Sequence, residues 1–99
     1  MLIHTVYFWL TKSATDEDRT EFRRRLATLG AIESVEAFYL GAPAKTPKRP
    51  VIDATYDYSI TVILASKTAH DRYQEDPIHK DFVERCAHLF ERVQVYDAE

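Results

Sequence analysis

Residues 2–10 read LIHTVYFWL, and this stretch decides how the rest of the chain is arranged. It is rich in β-branched and aromatic residues and stops at Thr11-Lys12-Ser13, which predicts a strand rather than a helix. Its even positions (Leu2, His4, Val6, Phe8, Leu10) and odd positions (Ile3, Thr5, Tyr7, Trp9) are both largely apolar, so both faces of the strand need cover. Helices of a 99-residue chain can cover one face; the other then needs a partner. The run follows Met1 directly, contains His4 and falls well short of the ~20 residues of a membrane span. Neither a membrane helix nor a signal peptide is expected, and a cytoplasmic location is.

Outward from this strand the period changes. From Ser13 to Leu29, Thr15 or Ser13 can cap, Asp16, Glu17 and Asp18 suit the positive end of a helix dipole, and Phe22, Leu26 and Leu29 recur at helical spacing. Gly30 is expected to stop this helix. Arg23, Arg24 and Arg25 follow Asp18 and Glu21 at pairing distances and read as a solvated face. Residues 34–41 predict a second strand, with Val35, Ala37 and Tyr39 on one side and Glu36, Phe38 and Leu40 on the other. Residues 42–54 carry Pro43, Pro47 and Pro50, which oppose either regular element, so a long loop is expected. Its Lys45, Lys48 and Arg49 can draw an anion.

A third strand over 57–65 alternates Tyr58, Ile60, Val62 and Leu64 against Ser59, Thr61 and Ile63. Thr68 or Ser66 caps a short helix, 69–75, that Asp76-Pro77 ends, because the residue before proline avoids helical geometry while Pro77 suits a new first turn. Phe82, Val83, Cys86, Leu89 and Phe90 mark the buried face of that next helix, and Val93 to Tyr96 closes the chain as a short fourth strand.

The order β-α-β-β-α-β is that of a ferredoxin-like α+β fold in a single domain over 1–99, with a four-stranded antiparallel sheet and its helices on one face. The bare face then carries Ile3, Thr5, Tyr7, Trp9 and Ile63, an apolar patch that calls for a twofold copy and hence a homodimer. A net charge of −3, from 13 Lys and Arg against 16 Asp and Glu, opposes nucleic acid as a partner. Cys86, the single cysteine, excludes an internal disulfide and a cysteine-based zinc finger, and its place on an apolar stripe reads as a small buried hydrophobe.

The opening strand, the segment Y-D-Y-S-I-T-V at 56–62 and above all Y-Q-E-D-P-I-H-K at 73–80 resemble the stress-responsive dimeric α/β barrel family, Dabb. The resemblance runs over nearly the whole chain. It implies a homodimer in which two four-stranded sheets pack into one barrel with the helices outside. Family members carry a histidine in the first strand, to which His4 corresponds, and a His-Pro-x-His segment at the start of the last helix. That segment here is Asp76-Pro77-Ile78-His79, with aspartate in place of the first histidine. The olivetolic acid cyclase branch closes a linear polyketide by an aldol step without cofactor, using the second histidine and a tyrosine six residues before it. The resemblance thus implies His79 and Tyr73 as an acid–base pair and no cofactor; some relatives hold a cation, without residues assigned to it.

Such a step needs a base for a proton α to a carbonyl and a donor for the oxyanion. A histidine with pKa near ~6.5 is a base at neutral pH, and a phenol with pKa near ~10 remains a donor. Asp76, three residues before His79, can either orient the imidazole or simply cap the helix that begins at Pro77. His4, Val6 and Phe8 share the helix-facing side with Tyr58, Ile60 and Val62, beneath Phe22, Leu26, Tyr73 and His79, as the wall of a small-molecule cavity or as a filled core. His4, His79 and Asp76 offer mixed metal ligands, but no spacing fixes them on one face and no metal site is expected. His70 and His88 read as solvated helix positions. Two functional classes stand side by side: a cofactor-free small-molecule enzyme, and a non-catalytic binding or stress-response dimer. A third is a cofactor-independent monooxygenase-like barrel, against which the Asp-Pro-x-His segment speaks.

Overall fold

A computed structural model describes all 99 residues. The first strand, β1 (Leu2–Leu10), alternates buried even positions with partly exposed odd ones. Helix α1 (Asp16–Ala27) starts on a reciprocal cap: the Thr15 hydroxyl accepts the Asp18 N–H at 3.0 Å, and the Asp18 carboxylate accepts the Thr15 N–H at 2.9 Å. A 3₁₀ turn over Thr28–Ala31 follows, and Gly30 lies inside it with ordinary negative φ. Gly30 is therefore not a left-handed stop; a Cβ there would stand 2.9 Å from Phe38 Cδ1, so its role is close approach to that ring.

Strand β2 (Val35–Gly41) pairs with β3 (Tyr58–Leu64), β3 with β1, and β1 with β4 (Phe90–Ala98), all antiparallel, in the order β2-β3-β1-β4. A register shift between Val35 and Ala37 changes the expected faces of β2. Val35 packs on the core together with Phe38 and Leu40 rather than sharing a side with Ala37 and Tyr39. Strand β4 is longer than Val93 to Tyr96 because its pairing runs along β1 from Ile3 with Ala98 to Leu10 with Phe90, which recruits the polar Glu91, Arg92 and Asp97. Cross-strand pairing here overrides composition.

Helices α2 (Lys67–Glu75) and α3 (Pro77–Cys86) follow β3, with Ser66 capping the first and a 3₁₀ turn over Ala87–Leu89 leading into β4. One core joins the even face of β1 and the inner positions of β3 to Phe22, Leu26, Tyr73, Phe82 and Cys86 of the helices. At its centre Phe8, Phe22, Phe82 and Phe90 meet with ring centroids 5.5–6.1 Å apart, and Tyr58 stacks on Phe22 at 5.8 Å. The segment 42–57 has no helix or strand, but its end is tied to the sheet. The Asp57 N–H donates to Phe8 O at 2.8 Å, the Asp57 carboxylate accepts the Leu10 N–H and the Arg19 guanidinium at 2.7 Å each, and Trp9 Nε1 donates to Thr55 Oγ1 at 2.9 Å.

Candidate functional site

Asp76 is the only residue between α2 and α3. Its backbone is extended (φ −61°, ψ 138°), its N–H donates to Tyr73 O at 3.3 Å, and its Oδ1 accepts the Ile78 N–H at 2.8 Å, so it ends one helix and caps the next. The sharp joint lets Tyr73, from the last turn of α2, and His79, from the first turn of α3, point into the same space. Their rings meet edge to face with centroids 4.9 Å apart. Asp76 itself stays outside that space and borders a separate surface concavity with Glu33, Ser34 and Arg72.

Between the sheet and α2/α3 lies a cavity of about 160 Å³. Of the residues expected at a site, His4, Val6, Phe8, Ile60, Tyr73 and His79 line it. Phe22, Leu26 and Val62 are fully buried in the core, and Tyr58 lies against Phe22 rather than on the cavity wall. Sequence reasoning missed the fourth wall, Val93 and Val95 of β4, which are 40% and 42% exposed. The V-Q-V alternation was the available signal: their cross-strand partners Phe8 and Val6 place them on the helix-facing side.

Burial, followed by the neighbouring His4 and His70 imidazoles, lowers the His79 pKa from 6.5, with Asp76 opposing the shift. The imidazole is thus neutral at neutral pH. Burial also pushes the Tyr73 phenol well above its usual range, so it remains a protonated donor. Cys86 is 2% exposed and its thiol is likewise raised by burial, which makes it a packing residue rather than a nucleophile.

His70 is not the solvated position that its polar helix suggests. Its side chain is 21% exposed, its ring lies 5.1 Å from that of His4, and its Nε2 is 4.0 Å from Asp97 Oδ2. His4, 3% exposed, holds Asp97 Oδ1 through Nδ1 at 2.5 Å. These three residues, rather than His4 with His79 and Asp76, bring metal-type ligand atoms together, all within 4.8 Å of one another.

The opposite face of the sheet carries a second concavity of about 310 Å³, lined by Tyr7, Trp9, Asp53, Tyr56, Arg92, Gln94 and Tyr96. It is larger but holds no histidine, and Arg92 is already placed over the Trp9 ring at 4.3 Å. Of the two, only the smaller cavity is lined by histidines.

A four-stranded antiparallel sheet with its helices on one face is the ferredoxin-like α+β class. Within that class, residues 2–99 match the stress responsive A/B barrel domain, and the chain belongs to that family, Dabb. Among solved structures, it is similar to a Dabb family protein with a ferredoxin-like fold from Mesorhizobium loti (26% identity, 99% of this chain and 94% of that one, TM-score 0.78). It is also similar to a dimeric ferredoxin-like protein of unknown function from Thermobifida fusca (17% identity, 98% and 88%, TM-score 0.79). A hydroxynitrile lyase from Passiflora edulis shares the fold at 12% identity (98% and 90%, TM-score 0.79). No curated protein matches the chain. No helix is long and apolar enough to cross a membrane.

Proposed function

We propose that the chain works as a homodimer whose subunits each bind one small apolar or aromatic molecule in the His4–Tyr73–His79 cavity, where His79 and Tyr73 perform cofactor-free acid–base chemistry of aldol or cyclase type. The carrying observation is the 4.9 Å edge contact of the two rings on the wall of a cavity whose lining is otherwise almost wholly apolar. Its volume matches the ~150 Å³ that accommodates a single benzene ring. Neutral His79 removes a proton α to a carbonyl, and the Tyr73 hydroxyl donates to the enolate oxygen. The enolate carbon forms a bond to a second carbonyl, and the resulting alkoxide takes the proton back from the His79 imidazolium, so no external reagent is consumed.

Dimerisation is supported by the outer sheet face. Ile3 is 37% exposed, Thr5, Tyr7 and Ile63 are half-buried, and the helices all lie on the other side. A cytoplasmic setting fits the free Cys86.

The test is turnover of linear β-polyketide acids, followed as cyclised product, with thermal shift run in parallel. Wild type is expected to cyclise, and His79→Ala to lose about 100-fold or more. A thermal shift without turnover, equal in wild type and His79→Ala, would overturn the chemistry and leave a binding protein. That second reading has its own support in Tyr73, which is fully buried as part of the core.

A further inference from the structure

We propose that His4, His70 and Asp97 form a binding site for one divalent first-row transition ion, with zinc as the representative, at the solvent-side edge of the cavity. The inference does not rest on the acid–base reading of His79 and Tyr73. Two imidazoles and one carboxylate come from three different elements, β1, α2 and β4, and their ligand atoms lie within 4.8 Å of one another. Nitrogen-rich donors of this kind suit zinc, cobalt or nickel better than magnesium or calcium, which prefer oxygen.

The arrangement needs only a small adjustment to hold an ion. Tetrahedral zinc with bonds of ~2.0–2.1 Å sets its ligand atoms about 3.3 Å apart. The His4 Nδ1 to Asp97 Oδ1 contact is 2.5 Å, His70 Nε2 lies 4.0 Å from the other carboxylate oxygen, Oδ2, and the three ligand atoms span up to 4.8 Å, so the short contact opens by about 0.8 Å and the widest separation closes by up to about 1.5 Å. The two moving side chains can do this, since Asp97 is 43% and His70 21% exposed. His4 cannot move far, being buried beneath α2 and paired in register with Asp97 across β1 and β4.

The groups around the ligands point the same way. A second carboxylate, Asp71 Oδ1, lies 3.7 Å from His70 Nδ1, the ring nitrogen turned away from Asp97. The two are not hydrogen-bonded at that distance, but rotation of the exposed Asp71 side chain would bring the carboxylate onto the far nitrogen, where such a group orients metal-binding imidazoles. The Gln74 amide lies 3.5 Å from His70 Nε2 and is the group an ion would displace. His4 also lines the cavity described above.

The experiment is zinc titration by calorimetry on chelator-treated protein, with cobalt absorption as a second readout. Wild type, His70→Ala, Asp97→Asn, His79→Ala and His88→Ala are compared. One ion per chain with tetrahedral cobalt bands is expected in wild type, with at least tenfold weaker binding in His70→Ala and Asp97→Asn. His70 is partly exposed and outside the core, so that variant should fold, and circular dichroism checks it. His88→Ala, at an exposed histidine elsewhere, is expected to bind as wild type does. Unaltered binding in His79→Ala separates this site from the acid–base pair. Binding that is absent in wild type, indifferent to His70→Ala, or lost equally in His88→Ala would overturn the proposal.

Discussion

The imidazole of His79 meets the phenol ring of Tyr73 edge to face, 4.9 Å between centroids, across a joint one residue long. The joint is rigid for local reasons, Asp76 capping α3 and Pro77 occupying its first position, so the ring contact is built into the backbone rather than into side-chain packing alone.

His79 should make stability depend on pH. Its folded pKa lies below the 6.5 of an exposed histidine, so the unfolded chain binds the proton first as pH falls. The stabilisation is full above pH ~6.5 and is lost as pH drops from there through the folded pKa. Between about pH 7 and pH 5 the Tm of wild type should therefore fall more steeply than that of His79→Gln. Equal slopes would mean that the imidazole is solvated.

Gly30→Ala should destabilise the fold by about 1–2 kcal/mol, because the new methyl meets Phe38 Cδ1 and Cγ at 2.9 and 3.0 Å and the ring must shift. Gly41→Ala, with nothing within 4 Å of its Cβ, is the control and should be neutral or slightly stabilising. Urea midpoints of the two variants measure the difference.

Asp57→Ala should cost about 1–3 kcal/mol, since one carboxylate holds both the Leu10 amide and the Arg19 guanidinium and thereby ties the loop end to β1 and α1. Asp57→Asn should recover part of the loss by keeping a neutral acceptor. If urea denaturation finds both variants as stable as wild type, solvent already satisfies those donors.

Association through the outer sheet face should be sensitive to charge at its middle. Ile63→Lys, opposite Ile3 on the neighbouring strand, is expected to shift light-scattering mass from dimer to monomer at micromolar concentration. Trp9 is a poorer probe, being engaged by Thr55, Tyr56 and Arg92 of its own chain. A dimer that tolerates Ile63→Lys would place the interface elsewhere.

The order of elements, the buried face of β1 and β3, and the break at Asp76-Pro77 were readable along the chain, because period, capping and proline geometry act over a few residues. Tyr73 and His79 were singled out as a pair by the family resemblance, and the break between them let their side chains converge. Which residues meet across the sheet was settled by long-range packing. The bulge in β2 turned Val35 toward the core, the length of β1 extended β4 to Ala98, and pairing with Phe8 and Val6 made Val93 and Val95 a cavity wall. His70 is the clearest case, since nothing local separates it from a solvated helix residue. It lies beside His4 and Asp97 because β4 joins the free side of β1 while α2 packs above that same corner, and such placement depends on contacts between residues far apart in the chain.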